Sequence, residues 1–224
     1  MSTLRTNYVT NPSIELATTG WNRTDTCVGT ATISRVSGGQ VGSYGLEFAY
    51  TAENGDTAGS ATQYSAMSDV GTATQGEVWT VSAYVKLGAG TTAGVSVFVR
   101  IAYYQSDGTY IGQLSLTDIV GELTSAYKRF SHTGTLPADP HISRVAAQLV
   151  VTKIANGDAF DLISDGWLLE KSDSMGSYFD GSTEDTGEWT YDWTGAAHAS
   201  TSIASTDGEI PFTGIRVTRH ISAA

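Results

Sequence analysis

The chain is poor in several features that mark large classes of protein. Its 224 residues include one cysteine, Cys27, so an intrachain disulfide framework is ruled out. The thiol is expected to serve as a small buried hydrophobe. Lys and Arg number 12 against 23 Asp and Glu, giving a formal charge of -11 with no basic cluster. A nucleic-acid partner is therefore not expected, because binding one requires cations that replace phosphate counterions. No apolar run approaches the ~18 residues of a membrane span, so membrane insertion is not expected either. The opening Met1-Ser-Thr-Leu-Arg-Thr lacks the charged-then-apolar design of a secretory signal, which implies synthesis in a cytoplasm. Walker loops, Gly-rich dinucleotide turns, GxSxG elbows and HExxH are all missing. His132, His141, His198 and His220 are scattered without metal-ligand spacing. No two carboxylates are singled out as a glycosidase pair, and the acids read as solvated surface.

Ser, Thr and Gly together make more than a third of the chain, and apolar residues make 40%. That mixture suits β-structure with many turns, a real core and a neutral polar surface open to uncharged partners such as sugars. The dominant period is two. From Glu77 to Leu87 one face reads Trp79, Val81, Ala83, Val85, Leu87, and the other Val78, Thr80, Ser82, Tyr84, Lys86. From Gly94 to Tyr104, Val95, Val97, Val99, Ile101 and Tyr103 share a face opposite Ser96, Phe98, Arg100, Ala102 and Tyr104. Asp107-Gly108 then predicts a hairpin into Thr109–Leu116, since both residues tolerate the positive φ of a tight turn.

Further strands are predicted at Val28–Val36, Tyr44–Thr51, Ala61–Met67, Tyr127–Thr133, Ile142–Thr152 and Phe160–Glu170. Gly38-Gly39, Asn54-Gly55-Asp56, Leu136–Pro140 and Asn156-Gly157-Asp158 separate them. No helix-period segment exceeds a turn or two. The pattern predicts an all-β, antiparallel β-sandwich over residues 1–172. Trp21, Trp79 and Trp167 are expected in its core.

Composition shifts near Lys171. Between Ser172 and Ser200 lie six acids and no Lys or Arg, together with Tyr178, Phe179, Trp189, Tyr191 and Trp193. Acidity alone would suggest disorder, but so many aromatic rings bury large areas when they find a surface. Residues 173–224 are read as an aromatic, acidic appendage that packs on the sandwich or on a neighbouring subunit. A short final strand is expected at Gly214–Ile221.

Three segments carry a resemblance: Asn11-Pro12-Ser13-Ile14-Glu15 with Gly20-Trp21, Val81-Ser-Ala-Tyr84-Val-Lys86, and Phe160-Asp-Leu-Ile-Ser-Asp165-Gly-Trp167-Leu-Leu-Glu170. In this order they resemble carbohydrate-binding modules of the galactose-binding-like jelly-roll class. The resemblance implies a structural Ca²⁺ between the first and last strands. Glu15 and Asp165 would give carboxylate oxygens, and backbone carbonyls near Asn11 and Ser13 would complete a hard-cation shell. The alternative is that Glu15 and Asp165 hydrogen-bond nearby backbone donors. In such a jelly roll the outward face of one sheet can hold a sugar, with rings stacking on CH faces and polar side chains meeting hydroxyls. Tyr84, Phe98, Arg100, Tyr104 and Gln148 are the candidates here. Their alternative role is to lie covered beneath a loop or the appendage.

The segment from Ser177 to Ser202, with the start Asn7-Tyr-Val-Thr-Asn-Pro-Ser13, resembles minor tail proteins of actinobacterial phages. That resemblance implies a non-enzymatic virion protein of the tail or tail tip that attaches to host cell-surface glycan. Its other partners would be phage structural proteins, and it would form a homo-oligomer, a trimer being one option. Two rivals remain at this stage: a purely structural head-decoration or tail-assembly protein, and a glycan-cleaving enzyme.

Overall fold

The computed structural model describes residues 3–51, 59–90, 94–114, 117–155 and 158–206. The turn at Asn54-Gly55-Asp56, residues 115–116 and 156–157, and the strand expected at Gly214–Ile221 lie outside the described residues.

Two antiparallel five-stranded sheets form the body. The first contains β2 (Trp21–Asp25), β5 (Gly59–Ser65), β7 (Ser96–Tyr104), β8 (Tyr110–Leu114) and β10 (Arg144–Ile154), in the order β2-β5-β10-β7-β8. The second contains β3 (Thr30–Ser37), β4 (Tyr44–Thr51), β6 (Val78–Gly90), β9 (Lys128–Thr135) and β11 (Ala159–Glu170), in the order β3-β4-β11-β6-β9. A third, smaller sheet joins the two ends of the described chain. Here β1 (Leu4–Asn7) pairs with β13 (Ser202–Ser205), which pairs with β12 (Thr190–Trp193). Helical structure among the described residues is one 3₁₀ turn at Val120–Glu122.

The period-two reading of the sequence matches the layers. Trp79, Val81, Ala83 and Val85 of β6 are fully buried, as are Val97, Val99 and Ile101 of β7. These faces meet Leu46 and Phe48 of β4 and Val145, Ala147, Leu149 and Val151 of β10 in one core. Trp21 packs on Trp167 with ring centres 5.1 Å apart, and Tyr8 packs on Trp79 at the same separation. Such tilted ring pairs favour the electrostatics of aromatic faces and edges. One polar knot crosses the core. Ser164 Oγ accepts from Gln63 Nε2 at 2.8 Å and from Trp167 Nε1 at 3.2 Å, and so ties the two sheets together.

In β11 the alternation changes phase. Leu162 and Ser164 point inward, and so do Trp167 and Leu169, because an irregularity lies between Asp165 and Leu168. Gly166 supplies it with φ +56°. A left-handed backbone there costs glycine little and other residues more. The β7–β8 hairpin turns at Asp107-Gly108 as expected. Gly108 has φ +89°, and Asp107 accepts from the Thr109 N–H at 2.8 Å. Cys27 is half-buried against the core, with Sγ donating to the Ser60 carbonyl at 3.6 Å.

The ends of the described chain are fastened to the sandwich by a few polar side chains. Asn7, fully buried, donates from Nδ2 to the carbonyls of Trp167 (2.9 Å) and Phe179 (3.2 Å). Its Oδ1 accepts from the N–H groups of Val9 and Leu169. Arg5 makes a two-pronged bond to Glu170, with Nε and Nη2 each 3.0 Å from a carboxylate oxygen. Its Nη2 also donates to the Ser177 carbonyl, and its guanidinium lies 4.8 Å from the Phe179 ring centre. Phe179 is fully buried with Leu168 and Ala204, against which Tyr178, Trp189 and Tyr191 pack. The Trp193 ring centre lies 4.8 Å from that of His198, and its indole N–H donates to Ser182 Oγ. The boundary drawn from composition at residue 172 therefore falls between β1 and the two strands with which it shares a sheet.

Candidate functional site

The outer face of the first sheet gathers a row of polar and aromatic side chains. Alternation aims Phe98, Arg100, Ala102 and Tyr104 of β7 away from the core, since Val97, Val99 and Ile101 point into it. On β10 the same face carries Arg144, Ala146, Gln148 and Val150. Register sets Gln148 opposite Arg100 on one side and opposite Tyr64 of β5 on the other. Tyr64 in turn lies opposite Asn22 of β2. Among the described residues, no strand packs across this face.

The central side chains lock one another. Arg100 Nε donates to Gln148 Oε1 at 2.7 Å, and Gln148 Nε2 donates to the Tyr104 hydroxyl oxygen at 3.0 Å. Tyr104 lies over the small residues Ala102 and Ala146 and meets Tyr110 edge-on, with ring centres 5.7 Å apart. The Tyr110 hydroxyl donates to Gln113 Oε1. Burial pushes the Tyr104 phenol up to about 12, so it keeps its proton. Burial also lowers the Arg100 guanidinium pKa, although far too little to discharge an arginine.

These contacts divide the expected residues. Phe98 and Arg100 are half-buried and reach the surface. Tyr104 (8% exposed) and Gln148 (4%) lie largely beneath their neighbours and hold Arg100 and Tyr110 in place. Tyr84 does not join them. Its strand, β6, belongs to the other sheet, where Tyr84 faces outward beside Arg129, whose guanidinium is 5.7 Å from the ring centre. The groove that was to combine Tyr84 with Arg100 is thus split between opposite faces of the sandwich. Tyr64, Tyr110 and Gln113 complete the face and were missed from sequence. Tyr64 sits within the predicted strand Ala61–Met67, and Tyr110 and Gln113 follow the Asp-Gly turn. Only pairing to a neighbour shows which outward residues meet.

The set implied for Ca²⁺ is engaged in other ways. Asp165 is fully buried. Its Oδ2 accepts from the N–H groups of Gln40 (2.6 Å) and Val41 (2.7 Å), and its Oδ1 accepts from Gly166 (2.7 Å). Glu15 Oε1 accepts from Ser43 and Tyr44. The two carboxylates thereby pin the loop at residues 38–44 at two points. Ser13 Oγ donates to Asp180, and the Asn11 carbonyl accepts from the Trp21 indole and the Ile14 N–H. A hard cation wants lone pairs, and at Asp165 amide hydrogens already take them. The donor set does not suit Ca²⁺, and no three His, Cys, Asp or Glu among the described residues gather as metal ligands. Burial, against the pull of three N–H donors, pushes the Asp165 carboxyl up to about 7, and Glu15 adds to the rise.

Elsewhere, two carboxylates share the outer face of the second sheet. Glu47 accepts from Ser34 Oγ, and Asp161 accepts from the Ala89 N–H. Burial first, and the charge on Glu47 in addition, raise the Asp161 pKa. A cavity of about 630 Å³ beside β1 is lined by Leu4, Arg5, Tyr8, Glu170 and Ser174. There the Arg5 and Glu170 charges are spent on each other.

No family model matches the chain, and no curated protein matches it. Similar solved structures exist. A carbohydrate-binding module of the β-sandwich superfamily, described for promiscuous specificity, is 17% identical with a TM-score of 0.50, covering 71% of this chain and 61% of its own. The enzymatically active domain of tailspike protein 4 of bacteriophage CBA120 is 11% identical with a TM-score of 0.47, covering 73% of this chain and 21% of its own. A family 16 carbohydrate-binding module is 16% identical with a TM-score of 0.44, covering 73% of this chain and 99% of its own. At these identities the likeness is one of fold. The chain is an all-β, antiparallel sandwich of the jelly-roll kind found in carbohydrate-binding modules.

Proposed function

We propose that the chain is a non-enzymatic glycan-binding protein that uses the outer face of β2-β5-β10-β7-β8. The observation that carries this is the row Tyr64, Gln148 and Arg100, set side by side by strand register and continued by Tyr104, Tyr110 and Gln113. Exposed rings suit the CH faces of sugars, while the Arg100 terminal nitrogens and the Gln113 amide nitrogen suit hydroxyls. Gln148 fixes Arg100 before any ligand arrives, which lowers the ordering cost of binding. No carboxylate stands on this face among the described strand residues, so it offers no acid and base for glycoside cleavage. The likeness in fold to a carbohydrate-binding module supports the same reading.

The finer reading rests on the sequence resemblance described above. The chain serves in a phage virion as a minor tail or tail-tip component, bound to phage structural proteins and directed at host cell-surface glycan. A shallow face binds weakly by itself, and repetition in a homo-oligomer would strengthen attachment by avidity. The test is retention of the purified protein by soluble polysaccharides and bacterial cell walls, with Arg100→Ala and Tyr110→Ala alongside. Retention by the parent and loss in both variants, with melting unchanged, is expected. Failure of the parent to bind any glycan would leave the assembly role instead.

A further inference from the structure

Charge on the proposed glycan face runs against the charge of the chain. The protein carries a net -11, yet the described strand residues on this face include two guanidiniums, Arg100 and Arg144, and no Asp or Glu. Among the described residues neither guanidinium is in an ion pair, whereas Arg5, Arg23, Lys128 and Lys171 each hold a carboxylate. Arg144 Nε is buried with no hydrogen-bond partner. The acid whose pKa Arg144 helps to lower, Asp107, sits in the exposed β7–β8 turn. The opposite sheet differs, since Glu47 and Asp161 share its outer face with Lys86 and Arg129.

A partly desolvated guanidinium without a directly paired carboxylate is costly, and its planar fork fits a carboxylate or phosphate in two-pronged fashion. Arg100 and Arg144 lie four residues apart along the strands and one strand over, about 14 Å between Cα atoms at standard spacings. That separation engages two charges of a polymer and exceeds the span of a single anion. We infer that the ligand of this face is an anionic polysaccharide, with carboxylate or phosphate groups on units a few residues apart along the polymer held by Arg100 and Arg144. The inference rests on the glycan-binding reading and names the class of glycan.

The test uses the full chain and matched polymers: polygalacturonate, its fully methyl-esterified form, and poly(glycerol phosphate) teichoic acid, beside a panel of neutral glucans and xylans. Affinity is followed by electrophoresis in polymer-loaded gels. At least one acid polymer should bind tenfold or more tighter than the ester, and the preference should shrink in 0.5 M salt. Which acid polymer binds tells a carboxylate source from a phosphate source. Arg100→Gln and Arg144→Gln should each cut the preference at least fivefold, Arg100→Lys should retain part of it, and Lys128→Gln on the other sheet should leave it unchanged. Equal binding of ester and acid, with loss of both in Tyr110→Ala, would overturn the anionic ligand and keep the glycan face. Binding to no polymer in the panel would overturn both readings.

Discussion

Replacing Arg5 by Ala tests how the two ends of the described chain are held. Arg5 reaches from β1 to the last residue of β11. Its two bonds to Glu170 are 3.0 Å each, and a third goes to Ser177 in the segment leading to Phe179. The Glu170 side chain is 3% exposed and that of Arg5 20%. An exposed pair of this kind would be worth little. Here truncation strands a buried carboxylate, and breaking such a pair costs about 3–5 kcal/mol. Because Arg5 keeps some access to water, the lower end applies, about 3 kcal/mol, or roughly 6–12 °C in Tm for a domain of this size. Urea unfolding followed by tryptophan fluorescence measures the loss. The double variant Arg5→Met with Glu170→Met should recover most of it, since an apolar pair of similar volume replaces buried charge at little cost. A loss under about 1 kcal/mol in Arg5→Ala, or a double variant no better than the single, would refute the claim that buried charge compensation fastens the small sheet to the sandwich.

Further expectations concern Asn7, Asp165 and Gly166. Asn7→Asp should destabilise more than Asn7→Ala, because it turns an acceptor toward the carbonyls of Trp167 and Phe179; comparative melting decides it. Asp165 has a folded-state pKa raised to about 7, so its contribution is fully present below the unfolded value near 3.8 and is lost as pH rises toward 7. The parent's urea midpoint should fall over that window relative to Asp165→Asn, and parallel pH profiles would contradict the assignment. A chelator or added Ca²⁺ should move Tm by no more than about 1 °C, because amide hydrogens hold the Asp165 oxygens; a clear calcium-dependent rise would restore the metal. Gly166→Ala forces a side chain at φ +56° and sets a Cβ 2.8 Å from the Tyr84 ring, which should cost about 2 kcal/mol by denaturant titration.

Much of the fold was readable because strand alternation depends on local chemistry alone. The inward faces of β6 and β7 and the turn at Asp107-Gly108 all follow from neighbouring residues. The short strands β1, β2, β12 and β13 were not foreseen. Four or five residues give too little pattern, and their pairing partners lie far away in sequence, as with Leu4 opposite Ser205. Asp165 and Glu15, named from sequence as one implied metal set, both accept from the chain between Gln40 and Tyr44. Their partners, the N–H groups of Gln40, Val41, Ser43 and Tyr44, are backbone groups and leave no mark in residue types.

The sequence by itself determined which residues of β6 and β7 point outward, since successive side chains must alternate across a pleated sheet. It could not decide which outward residues share a face. Tyr84 and Arg100 both point away from the core, yet β6 pairs with β9 and β11 while β7 pairs with β8 and β10, and the thickness of the sandwich separates them. Strand partners are chosen by long-range packing of the core, and that choice brought Arg100 beside Gln148 and put Tyr64 and Arg144 on the same face.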